Sequence, residues 1–267
     1  MTLTAPSRPR SSARGIAVLA IALGTLLIVG TLVLGAVSSA RAAAVRTDVL
    51  TTDATGIRDL DVDVAAVDLT IVYRGDGVSL QVTGASSDWT LRRDGERLVV
   101  ATNRTWWSGW SLFGREADVA TLTLPASLER TALDADLAVS GGMLRAEGTY
   151  GVLSLELSAG AMDVSGSATD LDADVSAGRL SFDLSGARGA DLKLSAGSVT
   201  GNLSGSAPRA VSVDASAGRL DLTLPSGAYA VAADVSAGEF RNDLTVDPDS
   251  SHRVEVSVSA GFVRLAS

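Results

Sequence analysis

The sequence contains no cysteine, which excludes disulfide staples, thiolate metal sites and a cysteine nucleophile. Aromatic residues make up only 4% of the chain, although 46% of it is hydrophobic. With so few rings to fill space, a packed core must be built from Ala, Val and Leu in regular layers. Lys193 is the only lysine and His252 the only histidine. His252 sits in Asp249-Ser250-Ser251-His252-Arg253, which reads as an exposed loop, and no nucleophile-elbow motif accompanies it. No phosphate-cradling glycine loop ending in Lys-Ser or Lys-Thr is present. No residue is therefore assigned a catalytic, cofactor-binding or metal-binding role, and the expectation is a protein that is not an enzyme and carries no cofactor.

Charge is unevenly distributed. Of the 22 basic residues, five arginines lie in the first 46 positions, which hold no acid. The remainder carries 17 basic against 31 acidic residues, a net charge of −14. Phosphate backbones repel such a body, so no nucleic-acid partner is expected.

From Gly15 to Val37 the chain has no charged residue. A helix of that length spans roughly 35 Å, against a hydrocarbon core of about 30 Å. Arg8, Arg10 and Arg14 precede it, and the positive-inside bias then points the C-terminal body out of the cytoplasm. Ala40-Arg41-Ala42 also has the small-x-small form of a signal cleavage site, so removal of the segment after Ala42 remains a second reading.

The strongest pattern follows residue 130. Ser-Ala-Gly recurs at Ser158, Ser176, Ser195, Ser216, Ser236 and Ser259, with Ser-Gly-Gly at Ser140. Successive spacings are 18, 18, 19, 21, 20 and 23 residues, the mark of a repeat architecture. Within one unit, Leu171, Ala173 and Val175 alternate with Asp172, Asp174 and Ser176, the period of a half-buried strand. The alternation slips by one at Gly178-Arg179, and Leu180, Phe182 and Leu184 continue it. Gly160, Gly178, Gly197, Gly218, Gly238 and Gly261 are thus repeat corners, where glycine supplies a backbone with φ > 0. The alanine of each corner is expected to face inward. Two geometries fit: a two-residue hairpin, giving an antiparallel meander or sandwich, or a β-solenoid of parallel rungs. We favour the solenoid, because one small residue recurs at each corner. Stacked rungs would also align aspartates such as Asp134, Asp136, Asp172 and Asp174 into outward ladders, read as solubilising rather than as weak Ca²⁺ sites.

Residues 58 to 130 are β-rich but less regular, with turn signals at Gly75-Asp76-Gly77 and Asp94-Gly95. They are expected to continue and cap the stack, since solenoid ends must be covered. All four tryptophans lie here, three of them in Asn103-Arg104-Thr105-Trp106-Trp107-Ser108-Gly109-Trp110. Trp106, Trp107, Trp110 and Phe113 are either part of the cap or a contact for a partner or membrane interface.

Thr121-Leu122-Thr123-Leu124-Pro125-Ala126-Ser127-Leu128, followed by serial Leu-Ser-Ala-Gly and Val-Ser-Ala-Gly strands, resembles the bacterial putative-adhesin family of β-strand repeats, a toastrack-like domain of unknown function. The resemblance covers roughly residues 58 to 267. It implies a β-repeat fold, a bacterial cell-envelope setting and a frequent link to membrane helices, and it supplies no catalytic motif.

The expected organisation is a basic cytoplasmic tail over 1–14, a transmembrane helix over 15–38, a connector over 39–57, a β-rich cap region over 58–130 and the Ser-Ala-Gly repeats over 131–267. The expected protein is all-β apart from its span, a single-pass membrane protein whose C-terminal domain is extracytoplasmic. Its expected partners are the membrane and an envelope protein or polysaccharide. Self-assembly into a homo-oligomer through the open strands Val254–Val258 and Phe262–Leu265 is an alternative role, and a polysaccharide-acting β-helix enzyme a more distant one. Mass spectrometry of the chain recovered from membranes is expected to find the apolar segment retained; a mature N-terminus at Ala43 would contradict the anchor.

Overall fold

The computed structural model describes residues 47–84, 88–103 and 118–267. The expected tail, span and Trp106–Phe113 cluster lie outside the described residues. Among the described residues no helix is long and apolar enough to cross a membrane.

The described chain is almost all strand. The strands are β1 (Thr47–Thr52), β2 (Asp59–Val64), β3 (Val67–Tyr73), β4 (Val78–Thr83), β5 (Trp89–Asp94), β6 (Arg97–Thr102) and β7 (Asp118–Leu124). A four-residue helix α1 (Ala126–Glu129) follows. Then come β8 (Leu133–Val139), β9 (Gly142–Leu157), β10 (Ala161–Val175), β11 (Arg179–Ser185), β12 (Gly189–Leu194), β13 (Ser198–Ser204) and β14 (Ala210–Ala215). β15 (Arg219–Thr223), β16 (Ala228–Val235), β17 (Glu239–Asn242), β18 (Thr245–Val246), β19 (Arg253–Val258) and β20 (Phe262–Ala266) complete the chain. The polar connector expected up to residue 57 includes β1, which pairs antiparallel with β4.

Each repeat is a rung with one arm before its Ser-Ala-Gly corner and one after it. First arms pair in parallel with first arms, as in Ala173↔Leu192↔Val213. Second arms pair with second arms, as in Val164↔Phe182↔Gly201. β9 and β10 each run unbroken from a second arm into the next first arm. The repeats therefore form an open sheet of parallel rungs, not an antiparallel meander. Alternate residues of both arms face one shared core of Leu, Val and Ala, from Leu60 to Leu265. Antiparallel pairing is confined to one end, where β5 closes β6 and β4 and β1 close β7.

The corner differs from expectation in one respect. Ala159, Ala177, Ala196, Ala217, Ala237 and Ala260 are exposed, not inward. Between the inward residues Val175 and Leu180, four consecutive residues face out, and this produces the slip in phase. The glycines, not the alanines, stack. At Gly178 φ is 112°, where a Cβ is strained. That Cβ would also stand 3.0 Å from the amide nitrogen of Gly160 and closer still to its carbonyl oxygen. Gly160, Gly197 and Gly218 repeat this geometry, with φ of 99°, 102° and 108°. Gly238 and Gly261 lack the left-handed φ and are required by approach alone: a Cβ on Gly261 would lie 2.8 Å from the Gly218 oxygen, one on Gly238 2.6 Å from the Gly261 oxygen. The ladder of hydrogen bonds passes straight through the corner. Ser176 N donates to Leu157 O at 2.9 Å and Ser195 N to Val175 O at 2.8 Å. Beyond the corner Arg179 N donates to Gly160 O at 3.0 Å and Ser198 N to Gly178 O at 2.9 Å.

Spatial order departs from chain order at both ends. The rung of β2 and β3 lies inside the rung of β6 and β7. The last rung in sequence, β19 and β20, is inserted between β14/β15 and β16/β17. Val254–Val258 and Phe262–Leu265 are thus paired on both sides and are not open edges. The expectation of self-assembly through them is overturned, because the chain doubles back before it ends.

Gly178→Ala is expected to destabilise the fold by about 2 kcal/mol or more, combining left-handed strain with backbone overlap. Gly186→Ala, at φ 80° with nothing within 4 Å of the added carbon, is expected to cost only about 1 kcal/mol. Equal shifts of the two urea denaturation midpoints would contradict the stacked corner.

Candidate functional site

Parallel register turns alternating sequence into columns on two outward faces. On the first-arm face, β2 contributes Asp59, Asp61 and Asp63, β8 contributes Asp134 and Asp136, and β10 contributes Asp170, Asp172 and Asp174. Glu156, Asp191, Asp214, Asp234 and Glu255 continue the pattern. Arg97, Lys193 and Arg253 are the bases in these positions. The face is strongly acidic. The second-arm face is different: Arg145, Arg179, Arg219, Arg241 and Arg264 are interspersed with Asp68, Asp163, Asp183, Asp221, Glu147 and Glu239 among serines and threonines.

Ion pairs match this difference. On the second-arm side Arg219 reaches Asp221 at 2.6 Å, Arg264 reaches Asp243 at 2.9 Å and Arg241 reaches Glu239 at 3.2 Å. The Asp221 carboxylate raises the pKa of Arg219 above its ordinary value. The Arg219 guanidinium also lies 4.4 Å from the centre of the Phe262 ring. Such exposed pairs add little stability, but they balance charge locally. On the first-arm face Lys193–Asp191 at 3.6 Å and Arg97–Asp61 at 3.8 Å leave most carboxylates without a cation among the described residues.

The acidic columns are not continuous. Val152 interrupts the column that holds Asp134 and Asp170, and Ser154 the column of Asp136 and Asp172. Asp134 is further engaged, accepting the Val152 N–H at 2.8 Å. Among the described residues, no group of three or more acids or His is arranged to hold a metal ion. Where Gly189 has no side chain and Ala210 only a methyl, the face sinks into a shallow trough of about 560 Å³ rimmed by Asp170, Asp172, Asp191, Arg253 and Glu255.

His252 is half-buried instead of exposed. Its Nδ1 is 2.8 Å from the Pro208 carbonyl, which can only accept, so Nδ1 carries the proton. The ring meets Tyr229 edge-on at 6.0 Å. Tyr229 donates to Pro225 O at 2.6 Å, and Ser250 Oγ donates to Ala228 O at 2.6 Å. These groups pin the loops that cross where the last rung is inserted, and they account for His252 structurally. The corner glycines Gly160, Gly178, Gly197, Gly218, Gly238 and Gly261 line one edge of the stack and present backbone only. The segment containing Trp106, Trp107, Trp110 and Phe113 joins β6 to β7, where other rungs have a corner of two or three residues.

Sequence reading did not separate the two faces by charge. The aspartates of Leu-Asp-Ala-Asp-Val strands were legible, but only parallel pairing of first arms with first arms collects them on one side. It also missed a tyrosine pair, Tyr150 buried and Tyr73 half-buried. Tyr73 and Tyr150 both close on Gly148, where an added Cβ would lie 2.7 Å from the Tyr73 ring and 3.0 Å from that of Tyr150. Their buried hydroxyls lie close enough to influence each other's ionisation, yet neither makes a hydrogen bond of good geometry among the described residues. Burial pushes the Tyr73 pKa up to about 12, outweighing the neighbouring Tyr150 hydroxyl, which lowers it, with the Glu129 carboxylate adding a smaller upward push; burial raises Tyr150 as well.

The fold and its faces define a class: an open, all-β repeat protein with one acidic and one charge-balanced face. No family model matches the chain, and no curated protein matches it. Solved structures are similar to it. A putative adhesin from Bacteroides fragilis NCTC 9343 is 14% identical, with a TM-score of 0.49 over 82% of this chain and 97% of that one. A putative cell adhesion protein from Clostridium sporogenes ATCC 15579 is 13% identical, with a TM-score of 0.41 over 83% and 98%. A putative lipid binding protein from Parabacteroides distasonis ATCC 8503 is 10% identical, with a TM-score of 0.33 over 83% and 97%.

The tyrosine pair makes alkaline stability testable. A phenol whose folded pKa lies above its unfolded value of about 10 contributes stability below that pH and loses it as pH rises towards 12. The urea midpoint is expected to fall between pH 10 and 12 and to fall less steeply in Tyr73→Phe; an identical slope in both proteins would contradict the burial of that hydroxyl.

Proposed function

We propose that this chain is a non-catalytic, adhesin-like interaction module of the bacterial cell envelope, anchored by the 15–38 segment with its β-repeat body outside the cytoplasm. Adhesion and envelope-stress sensing both fall within this reading. The observation that carries it is the segregation of charge between two rigid faces. Backbone hydrogen bonds fix the columns of carboxylates at the spacing of adjacent strands, about 4.8 Å. A surface so preorganised loses little entropy on binding. Its charge speeds encounter with a cationic envelope protein or polysaccharide and disfavours anionic ones. The span would hold this surface beside the membrane, where such partners are concentrated.

The test is cross-linking capture from native membranes with the full-length chain. Asp172→Asn, Asp174→Asn and Asp191→Asn combined are expected to weaken partner capture roughly tenfold while leaving the fold intact, and added salt to weaken capture by the parent chain. Capture indifferent to both would contradict the acidic face as the binding surface.

A further inference from the structure

The two ends of the stack are finished differently. At the β6/β7 end the antiparallel strands β5, β4 and β1 cover the last rung and bury Val78, Leu80, Val82 and Trp89. Their sequences, Trp-Thr-Leu-Arg-Arg-Asp for β5 and Thr-Asp-Val-Leu-Thr-Thr for β1, place charge and hydroxyls on the edges. Such edges resist pairing with another chain.

At the β16/β17 end β17 carries Glu239 and Arg241 and the short β18 pairs with Ala228 and Tyr229, but the remainder of β16 is left with few such devices. β16 reads Ala-Tyr-Ala-Val-Ala-Ala-Asp-Val, with a single charge and no proline. Among the described residues, no strand pairs with the outer side of residues 230–235 or of β17. Val231, Ala233 and Val235 are in register with Val254, Val256 and Val258 of β19. The latter three are buried, but Ala233 is exposed and Val235 is 40% exposed. The inward row of this rung is therefore open to water at Ala233 and Val235, while Tyr229 is buried and Val231 and Phe240 partly so, and the exposed pair lies beside a row of unpaired backbone groups.

We propose that this edge is a two-fold interface with a second copy of the chain, in which β16 runs antiparallel to its counterpart with Ala233 on the axis. The edge is self-complementary in that register. Val231 meets the partner's Val235, and Ala232 meets the partner's Asp234, so no like charges are opposed. Ala233 and Asn242 stand equally far from the outward corner residues 236–239. The same axis therefore sets Arg241 against the partner's Asp243. Because the opposite end is covered, the contact is isologous and closes at two copies instead of growing into a fibre.

The absence of cysteine makes the register directly readable. In the full-length chain in detergent, Ala233→Cys is expected to oxidise to a disulfide-linked dimer, because antiparallel partners have Cα atoms about 4.5–5.5 Å apart, within disulfide range. Val152→Cys, 49% exposed on the first-arm face, is the control expected to stay monomeric on denaturing gels. Sedimentation equilibrium of the parent should give a dimer. Ala232→Glu should weaken it about tenfold by facing the partner's Asp234, and Ala232→Arg should tighten it. A parent that is monomeric at every concentration overturns the proposal. So does a dimer that is indifferent to both Ala232 variants, or one in which the Val152 control cross-links as readily as Ala233→Cys.

Discussion

Everything in this fold depends on backbone meeting backbone at the repeat corner. Parallel arms can keep one register over successive rungs only if the turn between them occupies no more height than a strand. Glycine meets that condition, because any Cβ would overlap the carbonyl of the rung below. The residue is costly elsewhere: a glycine in a strand loses about 0.5–1 kcal/mol relative to alanine through chain entropy. Left-handed strain of about 1–2 kcal/mol for an L-residue, with overlap added, is the larger quantity. The corner keeps its glycine for that reason. The serine and post-glycine amides then carry the hydrogen-bond ladder around the bend without interruption.

Register converts a local sequence habit into a global property. An aspartate at every second position of one arm is an ordinary solvated face. Repeated in parallel over several rungs, it becomes an acidic face of interrupted carboxylate columns, while the other arm, rich in Ser, Thr and Arg, stays balanced. The chemistry offered to a partner thus arises from the stacking direction, not from any single motif. The same logic explains the limited role of surface ion pairs such as Arg219–Asp221: they keep the second face neutral and contribute little to holding it together.

Much of the body was legible in the sequence. The inward sets Leu171, Ala173, Val175 and Leu180, Phe182, Leu184 are buried as the alternation requires. The corner glycines are where the phase slips. Pairing direction is not written in alternation, since hairpin and stacked rung share the same pattern of in and out. The inward alanine was misread because a slip of one is satisfied equally by a short turn with one residue inside and by a longer corner with four residues outside. The interleaving of the terminal rungs left no local signal at all. β19 looks terminal because Leu265 lies near the end of the chain, yet its neighbours are set by loops whose crossing depends on Tyr229, Ser250 and His252. β1 was hidden by polar threonines that suit an edge strand as well as a connector. The tyrosine pair at Gly148 could have been suspected from Gly148-Thr149-Tyr150, a small residue beside a large one on the same face, but its partner Tyr73 is distant in sequence.

Amide hydrogen exchange at the corners tests the account most directly. The amides of Ser158, Ser176, Ser195 and Ser216 belong to exposed residues in what local sequence would class as turns. If the ladder runs through each corner, they exchange as slowly as the core-strand amides of Leu171 and Val213, opening only with global unfolding. Exchange at the rate of the exposed turn at Gly75-Asp76-Gly77 would contradict the continuous stack.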